Sequence, residues 1–477
     1  MLSLAVFYFV FLGTEYLFDN RMALYTDPTG VVLAQSYILG VSALGFLAYS
    51  LIEKWKSKSG DPTAFKAAGF FLPVPVIAGY VLLFAGTGYR VLLGSGCFLF
   101  LILGYLGSRT HYLAAQLLRG SRHPAKTVSV AYAVGLLLQF LNHNLLWGET
   151  VEGIFLAGSF VMLWVLTVGM TQNALPGYHR RQKAEDGEMV SVKNAQESVT
   201  AEQISWKNPR LAGVALLVTV VLMTCIFATL DNAVTLAHAT GTMDIGQWPR
   251  LFLALSGLLA GVLFDLNNGR YRGLIMYAVT ILSTICVLII ESGGPFLPGL
   301  LIFYMSAGFF VVFFTNGFIQ LSYRIQDGRL WAGMGRAANN LGAVITGVAS
   351  VSLLNGENHI LTAVLALVLF VLISMALLWY YSCTQIVKAP EAMESRKMSA
   401  GQSRLERFAE YYDLTEREQE VLQLLLLSDD GMQEIADSLF VSRAMLYRHI
   451  AALNEKTGTR SRIGLIQFYY NWEEDKK

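Results

Sequence analysis

The sequence predicts an all-α, polytopic membrane protein of twelve transmembrane helices, six and six, followed by a small four-helix domain at the C-terminus. Three observations carry that reading. Hydrophobic residues make up 54% of the 477 residues and charged ones only 14%, against about 25% charged in an ordinary globular domain. Apolar stretches, each near the roughly 20 residues that cross a hydrocarbon layer, recur up to Ser382. From Asp413 onward the pattern changes to short amphipathic segments with apolar positions at helical spacing.

The apolar stretches fall at about 2–18, 31–52, 68–86, 91–108, 127–146 and 153–172, then at about 211–231, 248–266, 273–291, 296–321, 332–354 and 360–382. Only helices satisfy their own backbone groups in lipid. The polar run from Asn173 to Pro209 separates the two sets and reads as a cytoplasmic linker. With the N-terminus inside, the cytoplasmic connections hold Lys54, Lys56, Lys58, Lys66, Arg109, Arg119, Arg122, Lys126, Arg180, Arg181, Lys183, Lys193, Lys207, Arg210, Arg270, Arg272, Arg324 and Arg329. The outer ones hold only Arg21, Arg90 and Arg250. Lys and Arg concentrate on the cytoplasmic side of membrane proteins, so this bias sets the orientation. An even number of spans then returns the tail to the cytoplasm.

Other classes find no support. There is no phosphate-binding loop, dinucleotide fingerprint, metalloprotease motif or nucleophile elbow, so neither an enzyme nor a cofactor is expected. Cys97, Cys225, Cys286 and Cys383 form no Cys-x-x-Cys pair and read as free packing thiols, with no metal site. The first apolar run lacks a basic leader and reads as an uncleaved span.

Two features make the spans look like a known plan. Leu17-Phe18-Asp19-Asn20 near the end of the first span recurs as Thr229-Leu230-Asp231-Asn232 near the end of the seventh. Gly261-Val262-Leu263-Phe264-Asp265, followed by Gly269-Arg270, sits between the eighth and ninth. The arrangement resembles the major facilitator superfamily, in which two six-helix halves enclose a central cavity. That resemblance implies that Glu15, Asp19, Gln35, Asn142, His143, Asp231 and Asn232 converge on one ligand-binding pocket. Tyr16, Tyr25, Trp147 and Trp248 would form its aromatic walls. Ionisable groups at membrane depth are functional candidates, but Asp19, Asn20, Asp231 and Asn232 could equally cap helix ends. A second polar group, Arg336 with Asn339 and Asn340, suits an inner gate or a hydrogen-bond network between helices.

In the tail, Gln433–Leu439 reads as a short helix, Phe440-Val441 as a turn, and Ser442 as the N-cap of a second helix. On that second helix Leu446, Ile450 and Leu453 form an apolar stripe, and Arg443, Ala444, Tyr447, Arg448, Ala451 and Glu455 lie opposite. This is the pattern of a helix-turn-helix, whose second helix enters the DNA major groove. Leu414-Thr415, Arg417-Glu418, Glu420-Val421-Leu422, Ile435-Ala436, Leu439, Ser442, His449, Lys456, Gly458 and Arg460-Ser461-Arg462 make the stretch resemble the DNA-binding domain of LuxR/NarL-type transcription regulators. DNA contacts are expected at Ser442, Arg443, Ala444, Met445, Tyr447, Arg448, Ala451, Lys456, Arg460 and Arg462. The resemblance implies double-stranded promoter DNA as partner and pairing into a homodimer through the last helix.

The segment 383–412 reads as a linker, and 404–412 within it as an amphipathic helix with Leu405, Phe408 and Tyr412 on one face, docking onto the domain that follows. A tether of that length holds the reader near the bilayer, which places the protein in a prokaryotic cytoplasmic membrane. The expectation is a one-component transcription regulator with a small-molecule sensor in the lipid bilayer. A secondary transporter with a regulatory tail is the alternative.

Overall fold

The computed structural model describes residues 1–58, 71–145, 148–169, 208–241, 244, 248–291, 296–354, 359–384, 404–427 and 431–472. All regular structure among them is helical. The chain forms two compact units, Met1–Ile386 and Val387–Lys477.

The first unit contains α1 (Leu2–Met22), α2 (Pro28–Lys58), α3 (Pro73–Ala85), α4 (Tyr89–Leu118), α5 (Pro124–Leu145) and α6 (Glu149–Trp164). These are followed by α7 (Pro209–Ala239), α8 (Trp248–Phe264), α9 (Arg272–Glu291), α10 (Phe296–Ser322), α11 (Gly328–Leu354) and α12 (His359–Cys383). Among the described residues nine of these are long and apolar enough to cross a membrane. Two more, α3 and α8, are apolar but shorter. The remaining one, α11, has the length but carries Arg329, Arg336, Asn339 and Asn340. Proline opens α2, α3, α5 and α7 at their first position, where its missing N–H has no intrahelical partner to lose. On α12 half of the described side chains are exposed, Val364, Leu367, Val368, Val371, Met375 and Leu378 among them. Such an apolar exterior suits a surface in contact with hydrocarbon.

Small residues let helices meet at backbone distance. A Cβ added to Gly45 of α2 would lie 2.1 Å from the Leu101 carbonyl oxygen, and one added to Gly104 of α4 would lie 2.0 Å from that of Ser42. This pair is the closest kind of helix crossing available in lipid. Gly104→Ala is therefore expected to destabilise the body by about 1–3 kcal/mol, the usual cost of overpacking. Gly94→Ala, on the same helix with nothing within 4 Å, should be neutral or slightly stabilising because alanine favours helix. Melting temperatures of the two variants in detergent decide the matter.

The second unit begins earlier than the sequence suggests. A helix at 404–411 precedes α14 (Glu416–Leu427), α15 (Met432–Ser438), α16 (Arg443–Thr457) and α17 (Arg462–Asn471); it is α13. Its Leu405, Phe408 and Ala409 are buried in one core with Leu422, Ile435, Leu446, Leu453 and Leu465. Arg404 donates to the carbonyl oxygens of Tyr469 (3.1 Å), Tyr470 (3.1 Å) and Trp472 (2.7 Å), so α13 caps the C-terminal end of α17. The domain therefore has five helices, and residues 404–412 belong to it rather than to a linker. The linker expected at 173–209 falls almost entirely outside the described residues, as does 385–403.

Candidate functional site

A candidate site lies in each unit. In the first, α1, α2, α5, α7, α8, α10 and α11 surround a cavity of about 140 Å³ between the two six-helix halves. From α1 it receives Phe11, Leu12, Glu15 and Asp19, and from α7 Thr224, Phe227, Ala228, Asp231 and Thr235. Both sets have the spacing of a single helix face. Gln35 of α2 donates through Nε2 to Glu15 Oε1 at 3.0 Å. Four of the seven residues expected in the pocket, Glu15, Asp19, Gln35 and Asp231, thus meet there.

The other three do not. Asn142 is buried elsewhere, with no partner for its amide among the described residues. Asn232, one step round α7 from Asp231, is buried but turned away from the cavity. His143 sits in a separate polar cluster: its Nε2 lies 3.0 Å from Asp244 Oδ2 and 3.0 Å from the Tyr16 hydroxyl, and its Nδ1 lies 3.5 Å from Glu152. Tyr16 also donates to Asp244 Oδ1 at 2.9 Å, and His238 Nε2 lies 2.8 Å from Asn20 Oδ1. This cluster ties α1, α5 and α6 of one half to α7 and Asp244 of the other.

The opposite end is tied too. Asp265, from the Gly-x-x-x-Asp stretch, accepts from the backbone N–H of Ala125 (3.2 Å) and Lys126 (2.8 Å) at the start of α5. A carboxylate at a helix N-terminus satisfies free donors and the helix dipole together. Inter-half contacts thus lie at both ends of the cavity.

The structure moves several residues from the places that sequence assigns them. Arg336, Asn339 and Asn340 line the same cavity as Glu15 rather than a separate inner gate. Their network role exists as well, since Asn340 Nδ2 donates to Ser42 Oγ on α2 at 2.7 Å. Arg250, an outer-loop charge by sequence, lies in the first turn of α8 and faces the cavity. The aromatic walls are Phe11, Tyr132, Phe227, Phe303, Tyr304 and Phe310. Tyr16 and Trp248 do not line it, Tyr25 is exposed, and Trp147 lies outside the described residues.

The second site is the exposed face of α16. Ser442 caps the helix by accepting from Met445 N–H at 3.3 Å. Gly458 ends it at φ 70°, a left-handed backbone that glycine adopts without strain. Leu446, Ile450 and Leu453 are buried, while Arg443, Ala444, Met445, Tyr447, Arg448 and Ala451 are exposed. The Arg443 guanidinium lies 5.7 Å from the Tyr447 ring centre. The preceding α15 is held at its start by Glu434, which accepts from Gly431 N–H at 2.9 Å. Phe440, at φ 53°, makes the tight turn between the two helices.

Residues 413–469 match the family model described as bacterial regulatory proteins, luxR family. The tail is a LuxR-type DNA-binding domain. The body shares its fold with the crystal structure of the human organic anion transporter MFSD10 (TETRAN), at TM-score 0.51 and 15% identity, over 79% of this chain and 97% of that one. No curated protein matches the sequence.

Within the LuxR-type domain, Arg460 is exposed and Arg462 half-buried, its guanidinium 3.6 Å from Met432 Sδ. Lys456 departs from expectation. Its ammonium donates to the Asp413 carbonyl (2.6 Å) and to Glu418 Oε2 (2.8 Å), so it braces the end of α16 against the start of α14 instead of facing outward for phosphate. Glu418 also accepts from Thr415 N–H at 2.8 Å and closes a capping box. Burial alone would raise the Glu418 carboxyl, but the bonds from Lys456 and Thr415 outweigh it and hold the group below its ordinary value of 4.5. A folded pKa below the unfolded one means stability that is complete above about pH 4.5 and disappears as pH falls through the folded value. Acid is expected to remove about 1 kcal/mol of domain stability below that point, a modest figure because Lys456 is partly exposed and the pair is screened. Denaturant melts of Glu418→Gln should be weaker at pH 7 and flat across the same acid window.

Proposed function

We propose that the chain is a one-component transcription regulator of a prokaryotic cytoplasmic membrane, with its N-terminus, the 173–209 linker and the LuxR-type domain in the cytoplasm. A small molecule would occupy the central cavity and bind one arrangement of the halves more tightly. Only that difference in affinity can shift the population. The shift would alter the pairing or reach of the LuxR-type domains, which grip promoter DNA as a homodimer. The protein would act by binding, without catalysis. One observation carries the reading: a LuxR-type reader shares one chain with a body whose halves surround a polar cavity.

The same body favours a second reading, a secondary transporter with a regulatory tail, because the similar solved structure is that of an organic anion transporter and inter-half contacts flank the cavity here. Footprinting of the full chain in nanodiscs against its own genomic region separates them. Sequence-preferring protection that weakens steeply with salt supports the regulator. Its absence, together with solute flux into proteoliposomes, would replace it with the transporter.

A further inference from the structure

The charges that line the central cavity do not balance. Glu15, Asp19 and Asp231 contribute three carboxylates, and Arg250 and Arg336 two guanidiniums. Among the described residues, neither guanidinium approaches these carboxylates closely enough for an ion pair. Asp19 is 2% exposed, and its Oδ1 has no hydrogen-bond partner. An uncompensated buried carboxylate in a membrane is costly, so the acidic end is relieved either by protons taken up from water or by a cationic guest.

Arg336 does not supply that cation. Its guanidinium sits against three rings, 5.6 Å from Tyr8, 5.5 Å from Phe11 and 5.5 Å from Phe314. Those contacts hold it one to two helical turns from Glu15 and Asp19 along α1, since Glu15 follows Phe11 by one turn and Asp19 by two. The cavity therefore has an acidic end and an end already occupied by a stacked cation. Between them lie apolar walls, with the Phe227 and Phe310 rings stacked at 4.5 Å. Aromatic faces attract cations as well as apolar surface.

We propose that the cavity takes a small organic cation with an apolar body, its ammonium held by Glu15, Asp19 and Asp231 and its body packed against Phe11, Phe227 and Phe310. A single positive charge brings the formal sum of the lining to zero. At about 140 Å³ the cavity is below the roughly 300–1,000 Å³ of drug-sized sites, which limits the guest to a small amine. The proposal rests on the cavity being the ligand site of the regulator, and it names the class of signal.

The test is thermal unfolding of the full chain in detergent, with benzylamine, benzyltrimethylammonium, benzyl alcohol and phenylacetate as probes at matched concentrations. The two cations should raise the melting temperature in a saturable way, and the alcohol and the carboxylate should not. Asp19→Asn and Asp231→Asn should each weaken the benzylamine response by about tenfold or more, the loss expected for a charge-assisted hydrogen bond. Lys54→Ala, on the surface, should leave it unchanged. If an asparagine variant fails to fold, the probe series on the unmodified chain still decides. Stabilisation by phenylacetate or benzyl alcohol equal to that by benzylamine overturns the proposal, as does silence of all four probes. A benzylamine response that survives Asp19→Asn combined with Asp231→Asn also overturns it. Benzylamine binding without any change in promoter occupancy would leave this site standing and remove the sensor reading. Specific DNA binding with no probe response would do the reverse.

Discussion

Replacing Arg443 and Arg448 together by alanine is expected to weaken specific DNA binding by roughly 2–6 kcal/mol, about 30- to 25,000-fold, with no loss of folding. Both side chains are exposed on the face of α16 opposite its buried stripe. An arginine that reads a guanine edge contributes about 1–3 kcal/mol of discrimination, and one that meets phosphate contributes through released counterions. The two uses leave different signatures in a salt titration. Loss of a base contact should flatten the preference between operator and scrambled sequence at constant slope. Loss of a phosphate contact should lower the slope by about one and weaken all sequences alike. Because Arg443 stacks on Tyr447, the double substitution need not equal the sum of the single ones. Unchanged thermal unfolding of the LuxR-type domain completes the expected result, since surface substitutions of this kind stay within about 0.5 kcal/mol.

What the sequence made legible was whatever depends on one helix at a time. The buried and exposed stripes of α16, the cap at Ser442 and the α13 contacts of Leu405 and Phe408 all follow from a period of 3.6 and a local hydrogen bond. The Glu15–Asp19 pair was readable for the same reason, being i and i+4 on α1. What escaped depends on which elements meet. Arg336 falls into a separate group by sequence because nothing near it in the chain shows that it packs against Tyr8 and Phe11, over 300 residues earlier. Asn232 joins Asp231 in the expected pocket, yet adjacent residues on a helix point about 100° apart, and only one of them can face a narrow cavity. Lys456 looks like a phosphate contact because a charge count over Ser442–Arg462 omits Glu418, which lies in another helix and neutralises it. Arg250 is counted with the outer connections because it falls in the first turn of the eighth apolar stretch, and nothing near it in the chain shows that this turn faces the cavity.

Leu446→Ala is expected to have the opposite effect to the arginine substitutions, although Leu446 lies two residues from Arg448. Its side chain is fully buried in the core that joins α13, α14, α15 and α17. Truncating a buried leucine costs about 2–5 kcal/mol, through lost transfer energy and the cavity left behind. A core of this size rarely supplies more than about 3–5 kcal/mol in total, so most copies of the domain should unfold. DNA binding should then be lost for every sequence at every salt concentration, with no change in slope among the copies that still bind. The membrane body, whose core is separate, should keep its melting temperature and its benzylamine response. Limited proteolysis should accordingly cut within 404–472 and spare the helices before Cys383. Tyr447→Ala is the control, because it removes an even larger side chain from the exposed face. If it unfolded the domain as readily as Leu446→Ala, the assignment of that face to DNA would be wrong, because a residue kept for a groove has no core to lose.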